Sequence, residues 1–199
     1  MSVDAAYGAR SAEYTSLFGD ISSTHPDDRA LVADWATQVT GPILDLGCGP
    51  GQWTGFLHGI GADVSGIDLT PEFVELARSR HPELEFEVGD ARRLHRSDGS
   101  AAGVLAWYSL IHLAPDELPQ ALAEIHRVLR PGGALLVGFF DGDGDDVEEF
   151  AHAVAPAWFW PPDRLAEELE DRGFAVDRIT RRREPGARPH AAITAHRKA

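Results

Sequence analysis

The sequence predicts an α/β fold, a doubly wound and mostly parallel sheet in a single domain, and three observations carry that prediction. Short apolar runs alternate with helical patterns along most of the 199 residues. A glycine-rich turn, Gly47-Cys48-Gly49-Pro50-Gly51, stands between the first apolar run and the first helical pattern. The chain closes with two strand-like runs joined through Pro185-Gly186, too short a connection for a helical crossover, which predicts an antiparallel C-terminal edge hairpin.

The elements follow in order. Residues 43–46 form a short apolar strand, 52–59 a helix and 63–68 a second strand. Thr70 is a suitable N-cap, and Pro71 stands at the first helical position behind it. Residues 85–88 alternate as a third strand, and 103–107 lack polar alternation, as expected of a strand buried on both faces. A helix over 117–129 is expected to stop at Arg130-Pro131-Gly132-Gly133. Residues 134–140 are the strongest strand, 164–172 a helix ended by Gly173, and 174–179 and 190–196 the final strand pair. Residues 1–40 are expected to supply lid helices, 41–140 a cofactor-binding core, and 141–199 an acceptor-side loop, helix and strand pair.

Charge narrows the function. With 18 Lys and Arg against 32 Asp and Glu, the net charge of −14 disfavours a nucleic-acid partner. A spanning helix needs about eighteen consecutive apolar residues, and no such run exists, so no membrane partner is expected. Cys48 is the single cysteine, and the first residues do not resemble a secretory leader, so a cytoplasmic setting is expected. A monomer or a homodimer is compatible with this composition. The basic run Arg181-Arg182-Arg183 reads as a solvated strand end, with an anion-binding patch as the alternative.

In an open parallel sheet, ligands bind at the carboxyl ends of the strands, where the strand order reverses. Counted from Gly47, the dinucleotide fingerprint requires glycine at position 52, where this chain has Gln52. Asp45, two residues before the first glycine, would repel a pyrophosphate and attract an ammonium group. Both features speak against a nicotinamide-dependent oxidoreductase. Asp68, at the end of the second strand, is placed to accept ribose hydroxyls, and Asp90, after the third, to accept from an adenine amino group.

Residues 43–51, Gly66-Ile67-Asp68, Gly89-Asp90-Ala91 and Leu129-Arg130-Pro131-Gly132-Gly133 resemble the successive motifs of class I S-adenosylmethionine-dependent methyltransferases, in particular the small-molecule branch called methyltransferase domain 11. The resemblance implies a Rossmann-like, seven-stranded sheet with its last strand inserted antiparallel. It implies that Asp45, Gly47, Gly49 and Gly51 hold the methionine part of the donor, Asp68 the ribose, and Asp90 and Ala91 the adenine. Leu69 is then expected against the adenine face, and Trp107, ending the fourth strand, beside the donor. Of the aromatic residues Tyr7, Tyr14 and Phe18, spaced almost as on one helix face, Tyr14 is the candidate lid over the donor.

The acceptor is expected beyond strands four and five. Tyr108 and His112, at i and i+4, would share a face if that segment were helical, with His112 as general base and Tyr108 orienting the acceptor. Histidine fixing the loop is the alternative. Trp158 and Trp160 are candidate walls of the acceptor pocket. The acidic run from Asp141 to Asp146 has Asp146 and His152 where a calcium loop needs Gly and Glu, so it reads as a solvated loop. No metal is expected. The expected reaction is metal-independent methyl transfer to an oxygen or nitrogen of a small organic acceptor; the alternative is a cofactor-binding module or a non-methylating user of the same cofactor.

Overall fold

A computed structural model of the chain describes residues 3–11, 15 and 19–199. Among these, nine strands form one sheet: β1 (Ile43–Leu46), β2 (Val64–Asp68), β3 (Phe86–Val88), β4 (Ala101–Trp107), β5 (Leu129–Asp141), β6 (Glu148–Phe150), β7 (Ala157–Trp160), β8 (Phe174–Arg182) and β9 (His190–Arg197). The α-helices lying wholly among the described residues are α1 (Val3–Ala9), α2 (Pro26–Thr37), α3 (Gln52–Gly59), α4 (Pro71–Arg80), α5 (Leu118–Val128) and α6 (Pro162–Glu170).

Strands β3, β2, β1, β4 and β5 pair in parallel in that order. Strand β9 then lies antiparallel against β5, from Ala134 opposite His196 to Phe140 opposite His190, and β8 pairs antiparallel with β9. These seven strands are the expected sheet, with the last strand inserted. The order reverses between β1 and β4, so their carboxyl ends open a crevice.

Alternation along the central strands divides the core between the two faces. Leu135 and Val137 face α5 and α6, packing with Leu122, Ile125, Leu165 and Leu169. Leu105 and Leu136 face the other way, onto Val32 and Trp35 of α2 and Trp53 and Leu57 of α3. Helix α2 is therefore a core helix rather than a lid. Both faces are covered, as a parallel sheet requires.

Three local expectations change. Strand β5 begins at Leu129 rather than after the Pro-Gly-Gly stop, because Leu129 pairs with Ala101 before a register shift resumes pairing at Gly103 and Ala134. Strands β6 and β7 were not expected: they form a short antiparallel pair, and β7 joins the end of β5 through Phe140 with Phe159 and Asp141 with Trp160. Thr70 is the N-cap of α4, but its side chain makes no cap bond; its N–H instead donates to Asp68.

The charged runs are also tied down. Arg182 pairs with Asp28 at 2.8 Å and Glu184 at 3.1 Å, while Arg183 pairs with Asp141 at 3.0 Å and Asp143 at 2.7 Å. Asp141 is only 1% exposed, so the acidic run begins inside the protein, not in solvent. Two of the three consecutive arginines thus fasten the β8–β9 connection to α2 and to the end of β5.

Candidate cofactor and acceptor site

The site starts at the turn between β1 and α3. Gly47, Gly49 and Gly51 have φ of 77°, 54° and 86°, a region where a side chain is strained. A Cβ on Gly47 would also collide with Ser109, and one on Gly51 would meet Ala77, His81 and Phe86 at 3.2 Å. Around Gly49 the space is open, with Gln52 nearest at 3.7 Å. The turn is therefore packed from below at two glycines and open to a ligand at the middle one.

Its donors are already used. Gly47 and Cys48 donate to the Ile67 carbonyl, Gly51 to the Cys48 carbonyl, and Gly49 to Asp68 Oδ2 at 2.8 Å. Pro50 has no N–H. A phosphate needs free N–H groups, whereas this turn is left with acceptors, which suit a cation.

A cavity of about 340 Å³ opens beside the turn, within the roughly 300–1,000 Å³ range of small-molecule sites. Gly47, Gly49, Asp68, Leu69, Asp90, Ala91, Trp107, Tyr108 and His112 line it together. Leu69 is 37% exposed, an apolar side chain left open inside a crevice. Asp68 is 9% exposed and holds the Thr70 N–H on Oδ1 and the Gly49 N–H on Oδ2, both at 2.8 Å. Burial raises its pKa, partly offset by those two bonds.

Asp45 and Gly51 lie behind the wall rather than in it. Asp45 is 1% exposed and accepts from the Thr54 hydroxyl of α3 at 2.6 Å. Burial pushes its carboxyl up to about 7. Asp90 sits at the opening in a bidentate pair with Arg92, 2.7 Å at the closest, and those bonds hold its carboxyl below the usual range. Arg92 also reaches Glu117 at 2.6 Å. Tyr14 lies outside the described residues. Tyr7 of α1 lines the cavity, packs near Phe73 at 5.8 Å between ring centres, and hydrogen-bonds His112.

Tyr108 and His112 do not share a helical face. Tyr108 has φ of 55°, so the segment leaves β4 as a series of bends. The Tyr108 hydroxyl lies 2.5 Å from His190 Nδ1, and its ring packs against Phe140 at 5.2 Å. His112 turns instead toward Tyr7. Its Nδ1 lies 2.7 Å from the Pro156 carbonyl, which can only accept, so Nδ1 carries the proton. Nε2 is then a lone pair accepting from the Tyr7 hydroxyl at 2.7 Å. Burial lowers the His112 pKa, which keeps this tautomer neutral.

Trp158 and Trp160 do not wall the cavities. Trp160 is 5% exposed within the core, and Trp158 packs on the same cluster, because both belong to β7 rather than to a loop. A second cavity of about 420 Å³ shares Tyr7, Gln52, Trp53, Trp107 and Tyr108 with the first. Its outer wall brings in Arg10, Phe140, His152, Arg188 and His190, none of which local sequence pattern singled out.

A glycine turn with spent donors, at the switch point of a sheet with an inserted antiparallel strand, sets this chain apart from the dinucleotide-binding folds and is the arrangement expected of a class I methyltransferase fold. Known proteins agree. Residues 43–133 match the family model described as methyltransferase domain. The O-methyltransferase cnsE of Penicillium expansum is 36% identical over 153 residues, 71% of this chain and 55% of that protein. The chain spans about half the length, or less, of the curated relatives it matches. A Burkholderia thailandensis 1,6-didemethyltoxoflavin-N1-methyltransferase, solved with 1,6-didemethyltoxoflavin and S-adenosylhomocysteine, is 25% identical with a TM-score of 0.76; the match covers 100% of this chain and 92% of that one. The [4+2]-cyclase SpnF shares the fold at a TM-score of 0.82 and 19% identity, with coverage of 99% and 95%. Residues 43–133 thus match a methyltransferase domain, and the whole chain has the Rossmann-like fold of the S-adenosylmethionine-dependent methyltransferases.

Proposed function

We propose that this chain transfers a methyl group from S-adenosylmethionine to an oxygen or nitrogen of a small organic acceptor. The observation that carries the reading is the pair of cavities joined at Tyr7, Gln52, Trp53, Trp107 and Tyr108, which lets two ligands meet end to end. The residues of the first cavity fit the donor. Gly49 leaves room for its methionine part, Asp68 retains lone pairs for ribose hydroxyls, and Leu69 and Ala91 offer apolar contact to a flat base. When bound, the donor supplies the methyl: an acceptor lone pair bonds to the methyl carbon, the carbon–sulfur bond breaks with its electrons going to sulfur, and S-adenosylhomocysteine remains.

The protein's part is alignment, exclusion of water and removal of one proton. His112 is the base in this reading. An acceptor hydroxyl or amine that takes the place of the Tyr7 hydroxyl at Nε2 would give its proton to that lone pair, while the Pro156 carbonyl steadies Nδ1–H. Tyr108, held by His190, forms the boundary that orients the acceptor.

S-adenosylhomocysteine release against pooled phenols, acids and amines, with donor binding followed calorimetrically in the same samples, tests the proposal. Release confined to one pool supports it; donor binding without release from any pool favours a cofactor-binding module. His112→Ala is expected to lower kcat about tenfold to a hundredfold while donor affinity holds. Because burial depresses the His112 pKa, the acid limb of the wild-type profile should fall below the ordinary histidine range and vanish in the variant. An unchanged limb would return His112 to a structural role.

A further inference from the structure

The two joined cavities are lined by opposite charge. The donor cavity carries Asp4, Asp68, Asp90 and Glu117 against Arg92, with His112 neutral, as suits a ligand with a sulfonium and an ammonium. The second cavity carries Arg10 and Arg188 beside His152 and His190, whose pKa values burial lowers so that both stay neutral, and among the described residues no carboxylate lines it. In a chain of net charge −14 that is a local reversal. A guanidinium facing a cavity with no carboxylate beside it favours a negative ligand there.

Its walls also specify shape. Trp53, Trp107, Tyr108 and Phe140 present ring surface to the cavity, which favours a flat ligand. Arg188 stands over the Phe140 and Phe150 rings, 5.9 and 5.1 Å from their centres, and among the described residues no carboxylate lies within ion-pair distance of it. A guanidinium stacked on aromatic rings is fixed in orientation with its N–H edge still available for two-pronged binding of a carboxylate. Arg188 lines the second cavity and not the first, whereas the His152 ring packs 5.2 Å from that of His112 and His190 is held at the Tyr108 boundary.

We propose that the second cavity binds a flat aromatic or heteroaromatic acid, its carboxylate on Arg188 and its methyl-accepting atom at the Tyr108 boundary. The inference rests on the methyl-transfer reading above for the direction of the ligand, and on the charge and shape of the cavity for its class.

The test compares hydroxybenzoic and hydroxyquinoline carboxylic acids with their carboxamides, using the S-adenosylhomocysteine complex for binding and S-adenosylmethionine for turnover. The acids are expected to bind about tenfold or more tightly than the amides. Arg188→Ala should erase most of that preference and Arg188→Lys restore part of it. Arg181→Ala, which removes the same charge from an exposed strand position outside both cavities, should leave the preference intact. Amides binding as well as acids, acids failing to bind, or a preference indifferent to Arg188→Ala would overturn the proposal. Acids that bind selectively without release of product would leave this inference standing and count against methyl transfer. Amides methylated as readily as acids would do the reverse.

Discussion

Asp68→Asn is expected to weaken S-adenosylhomocysteine binding about a hundredfold, roughly 3 kcal/mol. The change is nearly isosteric, so its effect isolates hydrogen bonding. In the native protein one carboxylate oxygen accepts from Gly49 N–H and the other from Thr70 N–H, each at 2.8 Å. An amide has one acceptor oxygen. Whichever way it turns, an NH₂ group meets a backbone N–H, and a bond becomes a repulsion inside a buried site. If the amide nitrogen faces Gly49, the turn moves where the ligand approaches; if it faces Thr70, the start of α4 moves beneath Leu69. The ribose loses a charged acceptor either way. Calorimetric titration reads the affinity, and circular dichroism separates a lost site from a lost fold. An affinity within twofold of wild type would remove Asp68 from the ribose assignment.

Legibility in the sequence followed the range of the forces involved. Strand β1, helix α3 and the start of α4 fall where local signals place them, because an apolar run, a glycine turn and a Thr-Pro pair act over a few residues. The Pro-Gly connection likewise marked β8 and β9 as antiparallel neighbours. The segment Ala157-Trp158-Phe159-Trp160 has strand-favouring residues, yet its strand exists through pairing with the far end of β5, which no local pattern records. The reading of Tyr108 and His112 as one helical face failed for a related reason. Tyr108 contacts His190, 82 residues away, and takes a left-handed conformation that ends any helix there.

The candidate site divides in the same way. The cavity beside the glycine turn is lined from strand ends with glycines and acids at recognisable spacings, so most of its lining was legible. The second cavity is assembled from a helix at the N-terminus, the loop after β6 and the β8–β9 connection. Tyr7 reaches His112 across 105 residues, and Arg188 gains its orientation from Phe140 and Phe150. Arginine, histidine and tyrosine scattered through loops look like ordinary surface residues until the fold collects them. The arginine run shows the converse, since two of its members are occupied by Asp28, Asp141 and Asp143.

Asp45→Asn should move stability and donor binding in opposite directions. In the folded chain burial lifts the Asp45 carboxyl from its ordinary 3.8 to about 7. Between those two values the native state holds a proton that the unfolded chain has released. Stability therefore falls as pH rises through this window, and above it the buried carboxylate carries its full desolvation cost. Asparagine keeps an oxygen for the Thr54 hydroxyl and discards the charge. The variant is expected to match wild type near about pH 4 and to exceed it by about 2–4 kcal/mol near about pH 8, which thermal or denaturant unfolding can follow. Donor binding should show the reverse. A cation held at the acceptor-rich turn favours the ionised carboxylate, so wild-type affinity should rise with pH through about 7 and binding there should release protons. Asparagine should bind more weakly and without that dependence. Titrations in buffers of differing ionisation enthalpy count the protons directly. A variant that is more stable yet binds the donor as well as wild type would leave Asp45 a purely structural acid. A variant that loses stability at high pH would show that its charge is already compensated in the empty protein.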